Sequence, residues 1–193
     1  MSQARYNVSI RRSAPEARFE LAGRPSEIAR LLKGAQLAVP STPKAIAAAD
    51  GIRVAWIGPR RISVTAPMDR RNDLATRLRQ VSLSIVSGIA VDVTGATVTF
   101  IIEGPGALDI LAQGVVNDLH PATFPVDTVL ATEACGTAII LEHVAEQDMA
   151  FRLTADAALA GYVESWLMAA AGLSSVEAPG IMTAPPPQIK LSN

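Results

Sequence analysis

The stretch FIIEGPGALDILAQG, residues 100–114, places an apolar run before a glycine pair and a helical pattern of apolar residues. This layout is typical of dinucleotide-binding loops, in which glycines let the backbone approach a pyrophosphate at a helix N-terminus. The third glycine of that fingerprint corresponds here to Asp109, whose carboxylate would repel a diphosphate. The stretch therefore predicts a strand-to-helix turn with Pro105 as the first helical residue, and phosphate binding is the less favoured alternative.

Possible metal ligands and nucleophiles are few. The histidines and the cysteine, His120, His143 and Cys135, show no paired metal-ligand spacing. Asp118 and His120 could place a carboxylate and an imidazole on one side of an extended segment, but a metal site needs a third ligand. A polar loop that bonds its own backbone is therefore favoured. Cys135 has no basic neighbour in sequence, so we expect a buried and inert thiol.

The serines do not form a recognisable nucleophile motif. Ser82, Ser84 and Ser87 have no neighbouring base, and no Gly-x-Ser-x-Gly sequence occurs in the chain. A triad of His143 with a distant acid stays open but has no positive support. The sequence therefore predicts no catalytic, cofactor-binding or metal-binding residue in this chain.

Two further groups could contact a ligand. Trp56 and Trp166 each lie on the apolar stripe of their own element, so core packing is favoured over a stacking site for a flat ligand. Arg70, Arg71, Arg77 and Arg79 coat one side of a predicted helix. They could bind a polyglutamate or phosphate tail, although a solvated or partner-facing helix surface is the commoner arrangement.

Charge is divided unequally along the 193 residues. Residues 1–79 contain 15 Lys and Arg against 6 Asp and Glu, whereas residues 80–193 contain 2 against 12. This division predicts either pairing between the two halves or two oppositely charged faces. Aromatic residues are too scattered in the basic half for a single-strand nucleic-acid binder. No apolar run suits a membrane span or a secretory signal, so we expect a cytoplasmic protein with neither a membrane nor a nucleic-acid partner.

Apolar alternation predicts antiparallel strand pairs. Val54 and Trp56 pair with Ile62 and Val64 around a tight turn, and two later strands are joined at Thr94-Gly95. Further strands are expected at 128–133, 137–143 and 149–153. Helices are expected at 25–34, 70–81, 105–115 and 155–172, and the second and fourth are expected to have Asp69 and Thr154 as their N-caps. The predicted class is α+β, with antiparallel strand pairs and helices packed on one side.

Three segments are expected along the chain. Residues 1–51 are predicted to be a basic N-terminal arm with a short helix and a linker, of which residues 1–22 are irregular. Residues 52–172 form the compact α+β domain. Residues 173–193, which contain three consecutive prolines, form a Pro-rich tail without apolar periodicity.

Residues 52–172 resemble the gamma subunit of heterotetrameric sarcosine oxidase and related N-methyl amino acid oxidases. The resemblance rests on the order and spacing of several short motifs, which are individually unspecific. They are Trp56-Ile57-Gly58-Pro59, Asp92-Val93-Thr94, Gly104-Pro105-x-Ala107, Leu111-Ala112-x-Gly114, Asp118-Leu119, Phe124-Pro125 and an aromatic-bearing last helix. The sequence departs from the family at Thr154-Ala155-Asp156, where a Ser-rich helix start is common.

The resemblance implies a fold related to folate-dependent aminomethyltransferases and a complex with large (alpha) and medium (beta) flavoprotein subunits, with a possible small additional subunit. FAD, FMN, NAD and tetrahydrofolate would then be bound by those partners and not by this chain. The chain would serve in assembly while the complex demethylates sarcosine or another N-methyl amino acid. One alternative is a stand-alone folate-binding protein in which Asp92 or Asp118 orients a pterin. Another is a regulatory module that binds an acidic protein through its basic half.

Overall fold

The computed structural model describes residues 6–85, 88–145 and 149–173. Two five-stranded antiparallel sheets account for its ten strands. In chain order, the strands are β1 Ser9–Arg12, β2 Glu16–Ala22, β3 Ile46–Ala49, β4 Ile52–Gly58, β5 Arg61–Pro67, β6 Ile89–Asp92, β7 Thr97–Glu103, β8 Thr128–Ala134, β9 Thr137–Ala145 and β10 Ala150–Asp156. The helices are α1 Pro25–Gly34, α2 Arg71–Ser82, α3 Ala107–Leu111 and α4 Ala160–Ala170.

The two sheets lie face to face, and each carries a pair of helices on its outer side. The first sheet has the order β3-β4-β5-β2-β6 and packs against α1 and α2, and the second has the order β1-β7-β10-β9-β8 and packs against α3 and α4. Apolar residues alternate along the strands because one face meets the helices. In β2, for example, Ala17, Phe19 and Leu21 are buried against the helices. The predicted α+β class, with helices on one side of each sheet, is confirmed.

Residues before Ile52 take part in both sheets. The predicted irregular arm is wrong for β1 and β2, since β1 pairs with β7 and β2 lies between β5 and β6. The linker also contains β3, which pairs with β4. Alternation of charged and apolar residues in EARFELA is the signal for β2. The predicted tail lies outside the described residues from position 174 onward.

The strands on either side of Thr94-Gly95 do not form the predicted hairpin. Strand β6 pairs with β2 in the first sheet, whereas β7 pairs with β1 and β10 in the second. The turn after β6 therefore carries the chain from one sheet to the other. Its closing bond is donated by the Ala96 N–H to the Val93 carbonyl at 3.0 Å. A tight turn alone could not reveal this crossing, because it constrains direction and not pairing.

Two predicted helix caps are wrong, and helices α3 and α4 are both shorter than predicted. Asp69 lies within a 3-10 turn before α2 and makes no capping bond. Thr154 lies inside β10, and the Asp156 side chain instead accepts a hydrogen bond from the Ala158 N–H. Helix α3 begins after Pro105 and ends at Leu111, and Val115 forms a bridge to Ala134 of β8. The hairpin of β4 and β5 and the short helix α1 are confirmed.

The turn after α3 contacts α4 at Gly114. A Cβ atom on Gly114 would lie 2.4 Å from Cζ2 of the Trp166 ring of α4. A Cβ atom on Gly161, which lies within α4, would meet nothing within 4 Å. We expect Gly114→Ala to reduce the free energy of unfolding by about 1–3 kcal/mol because the ring must move. The matched change Gly161→Ala should instead stabilise the protein by up to about 1 kcal/mol. Urea denaturation measures both, and equal effects would contradict this packing.

Candidate functional site

The facing surfaces of the two sheets contain buried charged and hydroxyl side chains. At the β4–β8 edge the contact is apolar, formed by Ala55, Ile57 and Val129. Toward the centre, buried polar residues of both sheets replace these apolar side chains. They are Arg18, Ser63 and Thr65 from the first sheet and Thr99, Glu142 and Thr154 from the second. We call this group, with Glu16, Arg53 and Arg152, the intersheet polar layer.

A chain of ion pairs crosses the intersheet polar layer. Arg53 Nη2 donates to Glu142 Oε2 at 2.6 Å, and the Arg152 Nε lies 3.4 Å from the same oxygen. Arg152 Nη2 in turn donates to Glu16 Oε2 at 2.5 Å. Glu142 is only 2% exposed, so its contacts with these arginines must compensate for the loss of contact with water. The ion pairs therefore connect β4, β9, β10 and β2.

Arg18 is bonded differently from the other arginines of the layer. Its Nη1 donates to Ser63 Oγ at 3.1 Å, and its Nη2 donates to Thr154 Oγ1 at 3.2 Å. Thr154 Oγ1 also lies 2.9 Å from Thr99 Oγ1. Burial lowers the pKa of Arg18, and the nearby charges of Glu142 and Glu16 oppose that shift. Among the described residues, no carboxylate lies within ion-pair distance of this guanidinium.

Among the described residues, three clefts open between the sheets, and one of them, about 410 Å³, lies at the β4–β8 edge beside Trp56 and Leu130. The other two border the intersheet polar layer. The larger, about 690 Å³, lies between Ile57 and Arg61 of one sheet and Ile140 and Asp156 of the other. The smaller, about 300 Å³, is lined by Arg12, Arg18, Thr97, Thr99, Glu16 and the segment 13–15. Both clefts can admit small molecules or a partner's side chains.

The loop of Asp118 and His120 is held together by its own hydrogen bonds, as predicted. Asp118 Oδ1 accepts from the His120 N–H at 2.9 Å, and its Oδ2 accepts from Thr123 Oγ1 at 2.9 Å. These bonds lower the pKa of Asp118. His120 Nδ1 accepts from the Ala122 N–H at 3.2 Å. Both side chains therefore form hydrogen bonds that stabilise the conformation of the loop.

His143 is a core residue in the second sheet. It is 2% exposed, and its Nδ1 donates to the Phe124 carbonyl at 2.9 Å because a carbonyl oxygen can only accept. The imidazole stacks on Phe151 with ring centroids 4.7 Å apart. Its Nε2 is buried without a hydrogen-bond partner. The structure does not bring an acid and a serine to this ring in the described part of the chain.

Cys135 and the serines are also engaged in local structure. Cys135 lies in a turn and is half-buried, so its thiol is less buried than predicted. Partial burial raises the pKa of this thiol, which is opposite to the change that makes a cysteine reactive. Ser82 and Ser84 donate to carbonyls of α2, at 2.8 and 2.7 Å. Ser87 lies outside the described residues.

The remaining candidates pack or pair within the chain. Trp56 Nε1 donates to the Gly58 carbonyl at 2.7 Å, and its ring packs against the hydrophobic core between the first sheet and its helices, α1 and α2. Arg71 Nε donates to Asp92 Oδ2 at 2.9 Å. Although partial burial opposes it, hydrogen bonds from Thr94 and Arg71 hold the pKa of Asp92 below its usual value. Arg77 pairs with Asp73 and donates to the Ala35 carbonyl.

The glycine-rich stretch of residues 100–114 is covered by the chain's own N-terminal segment. Gly106 N–H donates to the Asn7 carbonyl at 3.1 Å, and a Cβ atom on Gly104 would lie 2.7 Å from the same oxygen. Tyr6 packs at Gly106 in the same way. The space that a pyrophosphate would need is therefore occupied, which supports the strand-to-helix turn.

Residues 6–85, 88–145 and 149–173 contain neither a metal-binding cluster nor a helix that could span a membrane. No group of three His, Cys, Asp or Glu side chains there is placed to hold a metal ion. No helix in that part of the chain is long and apolar enough to cross a bilayer.

No motif in the sequence predicted the intersheet polar layer. The signal was present in β2, where Glu16, Arg18 and Glu20 alternate with buried apolar residues. Such alternation usually indicates a strand with one solvated face. Only the packing of a second sheet against that face buries the charges.

Comparison with known structures defines the class of fold. The sarcosine oxidase structure from Corynebacterium sp. U-96 matches with a TM-score of 0.77 and 23% identity, over 89% of this chain and 87% of the other. Aminomethyltransferase T of the glycine cleavage system from Bartonella henselae matches with a TM-score of 0.58 and 10% identity, over 86% of this chain but 46% of the other. The protein therefore has the two-sheet α+β fold of these proteins.

Sequence comparison gives the family. The chain belongs to the sarcosine oxidase gamma subunit family, whose model matches residues 22–173. The gamma subunit of sarcosine oxidase from Arthrobacter sp is 30% identical over 100 residues, which is 52% of this chain. That match spans about half of the relative, 48% of its length. The region that the family model matches includes α1 and β3, which lie in the predicted arm and linker.

Proposed function

We propose that this chain is the small, non-catalytic subunit of a heterotetrameric sarcosine oxidase-type complex. The single observation that carries the proposal is the family match over residues 22–173. The Corynebacterium protein of the same fold is a heterotetrameric sarcosine oxidase. The aminomethyltransferase similarity covers only 46% of that enzyme, and the family match gives no preference to a stand-alone folate protein.

The contacts within the chain support an assembly role. Candidate catalytic groups such as Asp118, His120 and Asp92 are hydrogen-bonded to neighbouring residues. Large apolar side chains at the surface point to contact with other subunits, since Leu83 is 84% exposed and Val116 is 73% exposed. Ile89 and Val91 of β6 are further exposed apolar residues, at an edge of the first sheet.

In this proposal the partners are large and medium flavoprotein subunits, which bind FAD, FMN, NAD and tetrahydrofolate. The complex is cytoplasmic and oxidatively demethylates sarcosine or another N-methyl amino acid, and it delivers one-carbon units to tetrahydrofolate. This chain holds the flavoprotein subunits in their assembled arrangement.

Co-expression tests the proposal. A purification tag on this chain should co-purify two flavoprotein subunits when the genes encoded beside it are expressed together, and native mass spectrometry should give a single heteromeric mass with flavin absorbance. Leu83→Glu and Val116→Glu, which place charges on exposed apolar sites, should each be screened for loss of this complex. Recovery of the chain as a stable monomer without flavoprotein in the same expression would contradict the proposal.

A further inference from the structure

The carboxylates nearest to Arg18 form ion pairs with other arginines. Its electrostatic environment is set by Glu142, Glu16, Glu20 and Arg152. Glu142 is bound by Arg53 and Arg152, Glu16 by Arg152, and Glu20 by Arg61 at 2.5 Å. Among the described residues, four guanidinium groups therefore share three carboxylates, and Arg18 is the one without a carboxylate contact.

Such a charge is costly to bury. Arg18 is only 3% exposed, and hydroxyl groups are its side-chain hydrogen-bond partners among the described residues. Hydroxyl groups satisfy individual N–H donors but cannot neutralise the positive charge. A guanidinium out of contact with water is stabilised mainly by a negative charge at hydrogen-bond distance.

The smaller cleft brings space and hydrogen-bond donors to Arg18. Its lining includes the hydroxyl residues Ser13, Thr97 and Thr99, and also Arg12, whose guanidinium is already bound to Glu164. Glu16 also lies on this cleft, but its carboxylate accepts from Arg152. A volume of about 300 Å³ has ample room for a small oxyanion.

We propose that the smaller cleft is a binding site for a small oxyanion, a carboxylate or a phosphate, held by Arg18 with the hydroxyl groups around it. The anion supplies the negative charge that the intersheet polar layer lacks. Its binding stabilises the contact between the two sheets, because Arg18 lies on β2 and its partner Thr154 lies on β10.

Thermal unfolding of the full chain tests the site with acetate and inorganic phosphate as probes, at an ionic strength held constant with chloride. Above the Kd of an anion that binds, each tenfold increase in its concentration should raise Tm by about 3–6 °C. The anion that gives the larger rise identifies the preferred chemistry. Equal Tm values in acetate, phosphate and chloride would overturn the proposal.

A charge supplied within the chain provides the decisive control. Ser63 Oγ lies 3.1 Å from Arg18 Nη1, so Ser63→Asp places a carboxylate against the same guanidinium and neutralises it from within the chain. Ser63→Asn has nearly the same shape without the charge. Ser63→Asp should melt at a higher temperature than Ser63→Asn in chloride and should no longer respond to acetate or phosphate. Ser63→Asn should retain the response. An anion response retained by Ser63→Asp would overturn the proposal.

Two arginine variants separate Arg18 from general surface effects. Arg18→Met should remove the anion response, whereas Arg30→Met on the exposed side of α1 should leave it intact. If Arg18→Met does not fold, Thr97→Val on the cleft wall gives the equivalent readout, with a reduced response expected. An unchanged response in Thr97→Val and Ser63→Asp together would exclude this cleft.

Discussion

Replacing Glu142 by Gln is expected to lower the free energy of unfolding by about 3–5 kcal/mol. The carboxylate is buried between Arg53 and Arg152, and its neutral isostere would remove the ion pair of Arg53 and leave Arg152 with Glu16 alone. The loss should appear in urea denaturation as a lower midpoint, with little change in the slope. A change of this size is a large fraction of the stability of an ordinary domain.

The neighbouring strand offers a matched control for this prediction. Glu133 lies on β8, is exposed and forms no ion pair among the described residues. Glu133→Gln should therefore change the free energy of unfolding by no more than about 0.5 kcal/mol. A loss of less than 1 kcal/mol in Glu142→Gln would mean that the intersheet polar layer does not hold the sheets together.

Gly104→Ala is expected to destabilise the protein by about 3 kcal/mol or more. Gly104 has a φ of 122°, a region that residues with a Cβ rarely adopt, and the new Cβ would lie 2.7 Å from the Asn7 carbonyl oxygen. The strain and the clash each contribute about 1–3 kcal/mol. Asn7 cannot move freely because its carbonyl also accepts from the Gly106 N–H.

Gly95 separates the strain from the clash. It also has a positive φ, 85°, but a Cβ atom there would meet no heavy atom within 4 Å. Gly95→Ala should therefore cost only about 1 kcal/mol. If both substitutions cost the same in thermal or urea unfolding, the glycine at 104 is not required by the packing of residues 6–8.

Local patterns in the sequence predicted most elements correctly but not their pairing. The β4–β5 hairpin followed from apolar alternation around Gly58-Pro59, and the apolar spacing of Leu74 and Leu78 gave α2. The β6–β7 turn has equally good local signals, yet its strands belong to different sheets. Which sheet a strand joins depends on long-range packing, and no turn sequence contains that information.

Thr154 illustrates the same limit for the candidate site. A threonine after a strand and before a helical pattern is a good N-cap, so the sequence favoured that role. In the structure it lies inside β10, where its hydroxyl accepts from Arg18, 136 residues away in sequence. The intersheet polar layer is built from such distant pairs, which single-sequence patterns cannot join.

The unequal charge of the two halves has a partial structural explanation. Four described ion pairs join a basic residue before position 80 to an acidic residue after it. They are Arg11–Glu103, Arg12–Glu164, Arg53–Glu142 and Arg71–Asp92. The halves therefore neutralise each other in part, as one of the two sequence hypotheses predicted. Exposed basic residues such as Arg30 and Arg79 remain on the outer helices of the first sheet.

Turnover in the assembled complex tests a non-catalytic role of this chain most directly. Asp118, His120 and Cys135 contact only their local structure among the described residues, so Asp118→Asn, His120→Ala and Cys135→Ser should leave kcat per flavin within about twofold of the unmodified complex. Native mass spectrometry must show the same subunit composition in each case. A loss of kcat of tenfold or more in any of these variants, with the complex intact, would show that this chain takes part in the chemistry.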